Sequence, residues 1–413
     1  MTIDFGRSSI ARAVAIAGDG DIIVAGGATS AGSGGVVGSD VALARLNSDG
    51  SLDNSFSGDG MVITDAGTAG STPDVGVDVG IDRNGRIVVG AHNDSDQGGG
   101  WTLVRYLPSG ALDNTFSNNG IMTEPGGTLN AIKVQKNGQV LAAGELDEAC
   151  SGGMPACTTS SAAIVRYTAG GARDLTFGIS GVAENFFQGG GQQKVAFTDI
   201  AVQGKKIVAV GLSQSSGHGD VIAARFGSSG FVDHTFLPPA AFLPDDRTAL
   251  ANSDVKMAVQ PDKKIVVGLT SATLIGRDQN FAVVRLENEG RIDTSFDADG
   301  LRNITFPDQL STPHALALQS TSGRIILGGR AFDVSPGNPE LASAAMAALE
   351  GFTPAPTGPD HSAPRAILET THPKTHGTRT QLIVRYIDDR SIDRSTFDDR
   401  DILVTGPKGF SQT

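Results

Sequence analysis

TLVRYLPSGALDNTF (102–116) is an apolar run that ends in an arginine, followed by a glycine turn, an aspartate and a phenylalanine. The same order recurs as ALARLNSDGSLDNSF (42–56), AIVRYTAGGARDLTF (163–177), AARFGSSGFVDHTF (223–236), AVVRLENEGRIDTSF (282–296) and LIVRYIDDRSIDRSTF (382–397). The arginines Arg45, Arg105, Arg166, Arg225, Arg285 and Arg385 are separated by 60, 61, 59, 60 and 100 residues. A fixed period of this size marks stacked copies of one supersecondary unit, and it overrides any domain count drawn from length.

Working outward from the signature, each period contains four short hydrophobic runs. The first is typified by GVDVGID (76–82) and FTDIAVQ (197–203), the second by RIVVGA (86–91) and KIVAVG (206–211). The third carries the arginine. The fourth follows the phenylalanine: MVIT (61–64), IMT (121–123), VAENFF (182–187), AAFL (240–243), LRNIT (301–305) and ILVT (402–405). Alternation in the first run and β-branched residues in the second are strand patterns. Turns such as DRNG and QKNG between them are hairpin chemistry.

Six such units predict an all-β fold, a six-bladed β-propeller of four-stranded antiparallel blades, as one domain over 1–413. A linear solenoid would need polar capping repeats, and neither end reads as a cap. Whether 402–405 completes the last blade or pairs with the first is left open by the pattern. The sixth unit is interrupted by an insertion over 331–380, a lid or a docking arm. In it, ELASAAMAALEGF (340–352) predicts a short helix from its strong helix formers, and TPAPTGPDHSAP (353–364) an irregular stretch.

The R-hydrophobic-x-x-x-G-x-x-D-x-[ST]-F pattern at a 60-residue step resembles the delta-60 repeat propellers of bacteria. VGIDRNGRIVVGAH (79–92) is similar to the inner hairpin of NHL-type propellers. The resemblance implies the propeller fold and a secreted or surface-exposed protein, and no particular reaction. The sixth copy departs from the pattern by its insertion and by one extra residue between Asp393 and Phe397.

Composition narrows the function classes. A net charge of −13 argues against binding a phosphate backbone as the main activity, so no nucleic-acid partner is expected. No apolar run reaches the roughly 18 residues of a membrane span. No signal peptide is read at the start, where the apolar part is short and leads directly into repeat material. The two cysteines, Cys150 and Cys157, flank a Gly- and Pro-containing loop and predict a local disulfide, hence an oxidising, secreted or periplasmic setting.

The repeated arginines and the aspartates Asp53, Asp113, Asp174, Asp233, Asp293 and Asp393 are read as structural pairs, because a reacting centre needs an asymmetric set of groups. Function is sought where the copies differ. The loops joining second to third strands are the variable ones, and divergent loops on a rigid scaffold are where binding surfaces usually sit. Aligning the entries to the innermost strands places Arg12, Asp78, Asn130, Asp199, Lys256 and His314 at the axial mouth. Asp78, Asp199, Asp254 and His314 would form a ligand set suited to a hard cation such as calcium. HNDSD (92–96) lacks a full calcium-loop pattern, and Pro373 argues against His372 and His376 as a helical metal pair. No nucleophile elbow, H-E-x-x-H helix or P-loop is present.

The leading expectation is an extracytoplasmic binding protein that recognises a protein, glycan or surface component through the loop-rich face. The alternatives are a calcium-type hydrolase or lyase with its site at the axial mouth, and a structural or assembly protein.

Overall fold

The computed structural model describes residues 2–31, 37–67, 74–93, 100–147, 160–184, 194–215, 218–239, 242–243, 247–250, 254–273, 279–297, 299–306, 309–319, 323–333, 342–349, 365–369, 383–387, 404–406 and 410–412. They fall into two compact units, Met1–Glu350 and Gly351–Thr413.

The first unit is a six-bladed β-propeller. The first blade is β1 (Ser9–Ile16), β2 (Ile22–Ala31), β3 (Val37–Leu46) and β4 (Met61–Thr64), paired in that order. The second is β5 (Asp74–Ile81), β6 (Ile87–Asn93), β7 (Gly100–Tyr106) and β8 (Ile121–Pro125). The third is β9 (Thr128–Val134), β10 (Val140–Asp147), β11 (Ser160–Tyr167) and β12 (Val182–Glu184). The fourth and fifth are joined. β13 (Lys194–Gln203), β14 (Lys206–Ser215) and β15 (His218–Phe226) lead to β16 (Arg247–Leu250), which also pairs with β18 (Ile265–Thr273). β17 (Lys256–Val259), β19 (Gln279–Leu286) and β20 (Leu301–Ile304) complete the fifth blade. The sixth has three strands, β21 (Gln309–Leu318), β22 (Ile325–Asp333) and β23 (Ala342–Leu349). All pairings are antiparallel. The second unit contains the hairpins β24 (Arg365–Glu369) with β25 (Ile383–Ile387) and β26 (Val404–Gly406) with β27 (Phe410–Gln412). No helix long and apolar enough to cross a membrane occurs among the described residues.

Three expectations are corrected. Residues 342–349 form β23 rather than part of a helix over 340–352. Ala and Met favour helix only weakly as a prior, and here eight consecutive residues find partners along β22, from Ile325↔Leu349 to Phe332↔Ala342. The third strand of the sixth blade is therefore β23, whereas the Arg385 strand pairs with β24. In the fourth blade, Phe242 and Leu243 lie in a bend and the outer strand is β16, displaced by a loop from the expected 240–243. Cys150, Cys157, Asp393, and the insertion apart from β22, β23 and β24, lie outside the described residues.

The core is a series of seams between consecutive blades. Ile23, Leu43 and Phe56 of the first blade, for example, pack with Val79, Val89 and Val104 of the second. The signature builds each seam at one end of the strands. Arg105 donates from Nε to Asp113 Oδ2 at 2.9 Å and from Nη1 to the Ala169 carbonyl in the next blade at 2.5 Å. Its Nη2 reaches Thr115 Oγ1, and the guanidinium lies 4.4 Å from the centroid of the Phe116 ring. Arg45, Arg166 and Arg225 repeat the arrangement on Asp53, Asp174 and Asp233, reaching forward to the carbonyls of Pro108, Ser228 and Asn288. Arg285 pairs with Asp293 over Phe296.

Four of these phenylalanines also abut a glycine of the following blade. A Cβ on Gly110, Gly171, Gly230 or Gly290 would stand 3.2, 3.0, 2.9 or 2.7 Å from Phe56, Phe116, Phe177 or Phe236. Those glycines have φ of +86 to +92°, so the turn and the close approach both require glycine. The signature is thus a clamp closed on the next copy of itself. It also holds its aspartates ionised. Burial alone would raise Asp233 and Asp293, but hydrogen bonds from Lys206 and Lys264, from Thr235 and Ser295, and from Arg225 and Arg285 outweigh it and lower both well below the usual carboxylate range.

Candidate functional site at the axial mouth

The innermost strands are not smooth. β1, β5, β9, β13 and β21 each carry a one-residue bulge against the strand that follows, with Arg12, Val77, Asn130, Thr198 and His314 as the extra residues. Bulges re-aim side chains and are common beside functional sites. Register then divides the six residues aligned from sequence into two positions. Arg12, Asn130 and His314 are bulge residues of the first, third and sixth blades. Asp78, Asp199 and Lys256 sit one residue later in the second, fourth and fifth, opposite Gly90, Val210 and Gly268.

Half of this set is committed to backbone. Asp78 accepts from its neighbour Val79 N–H at 2.8 Å and, across the seam, from Ile132 N–H at 2.7 Å. Asp199 accepts from Ile200 N–H and from Met257 N–H of the next blade, both at 2.7 Å. Asn130 Nδ2 donates to the Phe197 carbonyl at 2.8 Å, and the Thr198 hydroxyl to the Val255 carbonyl at 2.7 Å. These four side chains tie the second blade to the third, the third to the fourth and the fourth to the fifth. Burial pushes Asp78 up to about 6, helped by the nearby Asp199 charge and opposed by the Ile132 N–H and Lys256. Asp199 is raised by burial against the pull of Lys256.

The remaining charged groups come from the fifth, sixth and first blades. Asp254 Oδ2 and His314 Nδ1 are 2.8 Å apart, with their side chains 46% and 43% exposed. His314 Nε2 lies 3.3 Å from Thr312 Oγ1. Burial would raise Asp254, but the hydrogen bond with His314 and the charges of Lys256, His314 and Arg12 outweigh it and hold the carboxyl below its ordinary value. Arg12, on the first blade, therefore lies within electrostatic reach of a carboxylate on the fifth. Chemically the cluster offers three nitrogen donors around one ionised acceptor, an arrangement suited to carboxylate, hydroxyl or amide groups of a ligand.

Among the described residues, no group of three or more His, Cys, Asp or Glu side chains has metal-binding spacing. Asp78 and Asp199 each turn a carboxylate onto a backbone N–H of the next blade.

Sequence reasoning missed two features. In five blades the polar residue at the start of the second strand reaches the signature aspartate or arginine: Arg86 to Asp113, Gln139 to Asp174, Lys206 to Asp233, Lys264 to Asp293, and Asp21 to Arg45. The signal was a polar residue before an otherwise apolar run, disguised by its changing identity. The second is Asp74, only 1% exposed, whose oxygens have no hydrogen-bond partner among the described residues. Burial, with the charges of Asp65 and Asp40 beside it, pushes it up to about 7, although the N–H groups of Ala66 and Gly67 pull the other way.

A search of curated proteins finds no match to the chain. Among solved structures it is similar to an ulvan lyase, at 10% identity and a TM-score of 0.42, covering 77% of this chain and 78% of that one. It is similar to the polysaccharide lyase Uly1 at 12% identity and a TM-score of 0.40, covering 97% and 88%. It is also similar to a Penicillium chrysogenum alpha-L-arabinanase complexed with arabinobiose, at 10% identity and a TM-score of 0.36, covering 65% and 91%. In sequence, residues 17–56, 83–116 and 260–296, each spanning a second strand, an arginine strand and its clamp, match a β-propeller family described as a domain of unknown function (DUF5122).

Proposed function

We propose that the chain is an extracytoplasmic binding propeller that takes a protein or glycan partner on the face formed by the second-to-third and fourth-to-first connections, with Arg12, Asp254, Lys256 and His314 as its charged centre. One observation carries this reading. The polar axial residues of the second, third and fourth blades are spent on seam-crossing backbone bonds, whereas Asp254 and His314 are paired with each other and remain nearly half exposed. Exposed polar groups on a rigid scaffold can recognise a ligand without reordering the fold.

The test uses an immobilised panel of neutral and uronic-acid-containing oligosaccharides, probed with wild-type protein and with a Lys256→Ala/His314→Ala variant. The expected result is retention of one class by the wild type and at least a tenfold weaker Kd for the variant. Equal binding by both proteins removes the axial mouth from the reading, and no binding by the wild type removes the glycan. The compartment is tested separately by thiol titration of unreduced, denatured protein. An oxidised Cys150–Cys157 pair leaves no reactive thiol, and two reactive thiols per chain would count against an oxidising environment.

A further inference from the structure

The inner strand of the sixth blade carries a juxtaposition that its siblings lack. β21 places Thr312 two residues before the bulge residue His314, and His314 Nε2 lies 3.3 Å from Thr312 Oγ1. In the first, second and fourth blades the corresponding pairs are Ile10 with Arg12, Val75 with Val77, and Ala196 with Thr198. The third blade has Thr128 with Asn130, but the Asn130 amide is given to the Phe197 carbonyl. Among these bulged strands, β21 alone sets a hydroxyl against an imidazole.

The third member comes from the fifth blade. Asp254, just ahead of β17, has Oδ2 2.8 Å from His314 Nδ1. An ionised carboxylate only accepts, so Nδ1 carries the proton and a neutral ring presents the Nε2 lone pair to Thr312. Asp254 and His314 are both nearly half exposed, so a ligand reaches the imidazole without opening the fold. Lys256 and Arg12 lie within electrostatic reach of the same carboxylate and make the surroundings cationic. Carboxylate, imidazole and hydroxyl in this order are the parts of an activated oxygen nucleophile.

We propose that Asp254, His314 and Thr312 form an acyl-transfer centre that hydrolyses esters, with Thr312 as nucleophile, His314 as general base and acid, and Asp254 as the residue that positions the ring. Thr312 Oγ1 bonds to the ester carbonyl carbon while His314 Nε2 takes the hydroxyl proton. The tetrahedral intermediate then breaks its carbon–alkoxy bond, and the alcohol leaves with that proton. Water repeats the step: its oxygen bonds to the acyl carbon as His314 takes a proton, the bond to Thr312 breaks, and the proton returns to Oγ1. The products are an alcohol and a carboxylic acid, with no co-reactant but water. The cations Lys256 and Arg12 favour esters whose acyl part carries a carboxylate.

The test assays the whole chain with p-nitrophenyl acetate and mono-p-nitrophenyl succinate. The wild type is expected to hydrolyse both, the succinate with the higher kcat/KM. An acid quench during turnover should leave an acyl group on the peptide that contains Thr312, read by mass spectrometry. Thr312→Ala is expected to lose about a hundredfold in kcat, whereas Thr312→Ser keeps the activity. Asp254→Asn should lower kcat with KM unchanged, because it frees the ring without touching substrate. A wild-type rate in Thr312→Ala, with loss only in His314→Ala, overturns the proposal by reducing His314 to an exposed imidazole reacting alone. Absence of hydrolysis by the wild type overturns it too. This activity and the glycan reading fail separately: retention on the oligosaccharide panel without esterolysis sinks the acyl-transfer centre alone, and esterolysis without retention sinks only the glycan.

Discussion

The two ends of the blades use the same polar chemistry differently. At the clamp end, five arginine–aspartate pairs make nearly superimposable bonds and each arginine lies over its own phenylalanine. At the axial mouth, no two neighbouring blades present the same residue, and across the three seams from the second blade to the fifth the bond is made by an aspartate, an asparagine, or an aspartate with a threonine. The lesson is that repetition marks parts every copy needs, whereas an axial residue can vary as long as some side chain reaches the next backbone. Where none has to, the position is free for a ligand.

The largest effect expected is at the clamp. Arg105 is 2% exposed, and Arg105→Ala leaves Asp113 and the Ala169 carbonyl without their partner. Removing one member of a buried pair costs about 3–5 kcal/mol, read as a fall in the denaturation midpoint. A variant that melts with the wild type would end the structural assignment of the whole set.

Next comes the pH dependence, where two kinds of aspartate pull in opposite directions. The clamp aspartates are lowered, so their contribution is present above the unfolded carboxylate range and is lost on acidification. Asp74 is raised from 3.8 to about 7, so its folded carboxyl holds the proton more tightly than the unfolded one, and stability is lost as pH rises through that window. Asp74→Asn should therefore stabilise the protein at pH 8 by roughly 2–4 kcal/mol and have little effect near pH 3, since a tenfold difference in proton affinity between the folded and unfolded chain is worth about 1.4 kcal/mol. Equal effects at both pH values would show that the carboxyl finds a partner when charged.

A smaller loss follows from cutting an axial strut. Asp199→Ala leaves the Met257 and Ile200 N–H groups unpaired, at a cost of about 1–3 kcal/mol by chemical denaturation. The smallest change belongs to His314→Ala, which removes an exposed side chain and should leave stability within about 0.5 kcal/mol. If His314→Ala proves as damaging as Asp199→Ala, the division between struts and free groups fails.

Much of the propeller was legible in the sequence because strand pattern and clamp repeat together. Arg105, its aspartate and its phenylalanine must recur for the seams to form, so period and partners are visible without coordinates. The alanine-rich run at 342–349 was misread because helix propensity is weak beside a waiting strand edge, and that edge belongs to β22, a tertiary fact. The axial set was found only as an approximate alignment. A bulge adds one residue without any fixed sequence mark, so Asp78 and Asn130 looked equivalent although they occupy different register positions. Asp74 gave no signal at all, because its isolation is a matter of what surrounds it.

β16 has a consequence for how the molecule comes apart. The first four blades share no strand and meet through side chains and single main-chain bonds such as Ser57 N–H to the Ser109 carbonyl, so each can open with only its neighbours disturbed. The fourth and fifth share a strand whose Ala249 is paired with both Gly219 and Ser271. The shared strand makes them one cooperative block, the element expected to exchange its amides last and to resist proteolytic nicking longest.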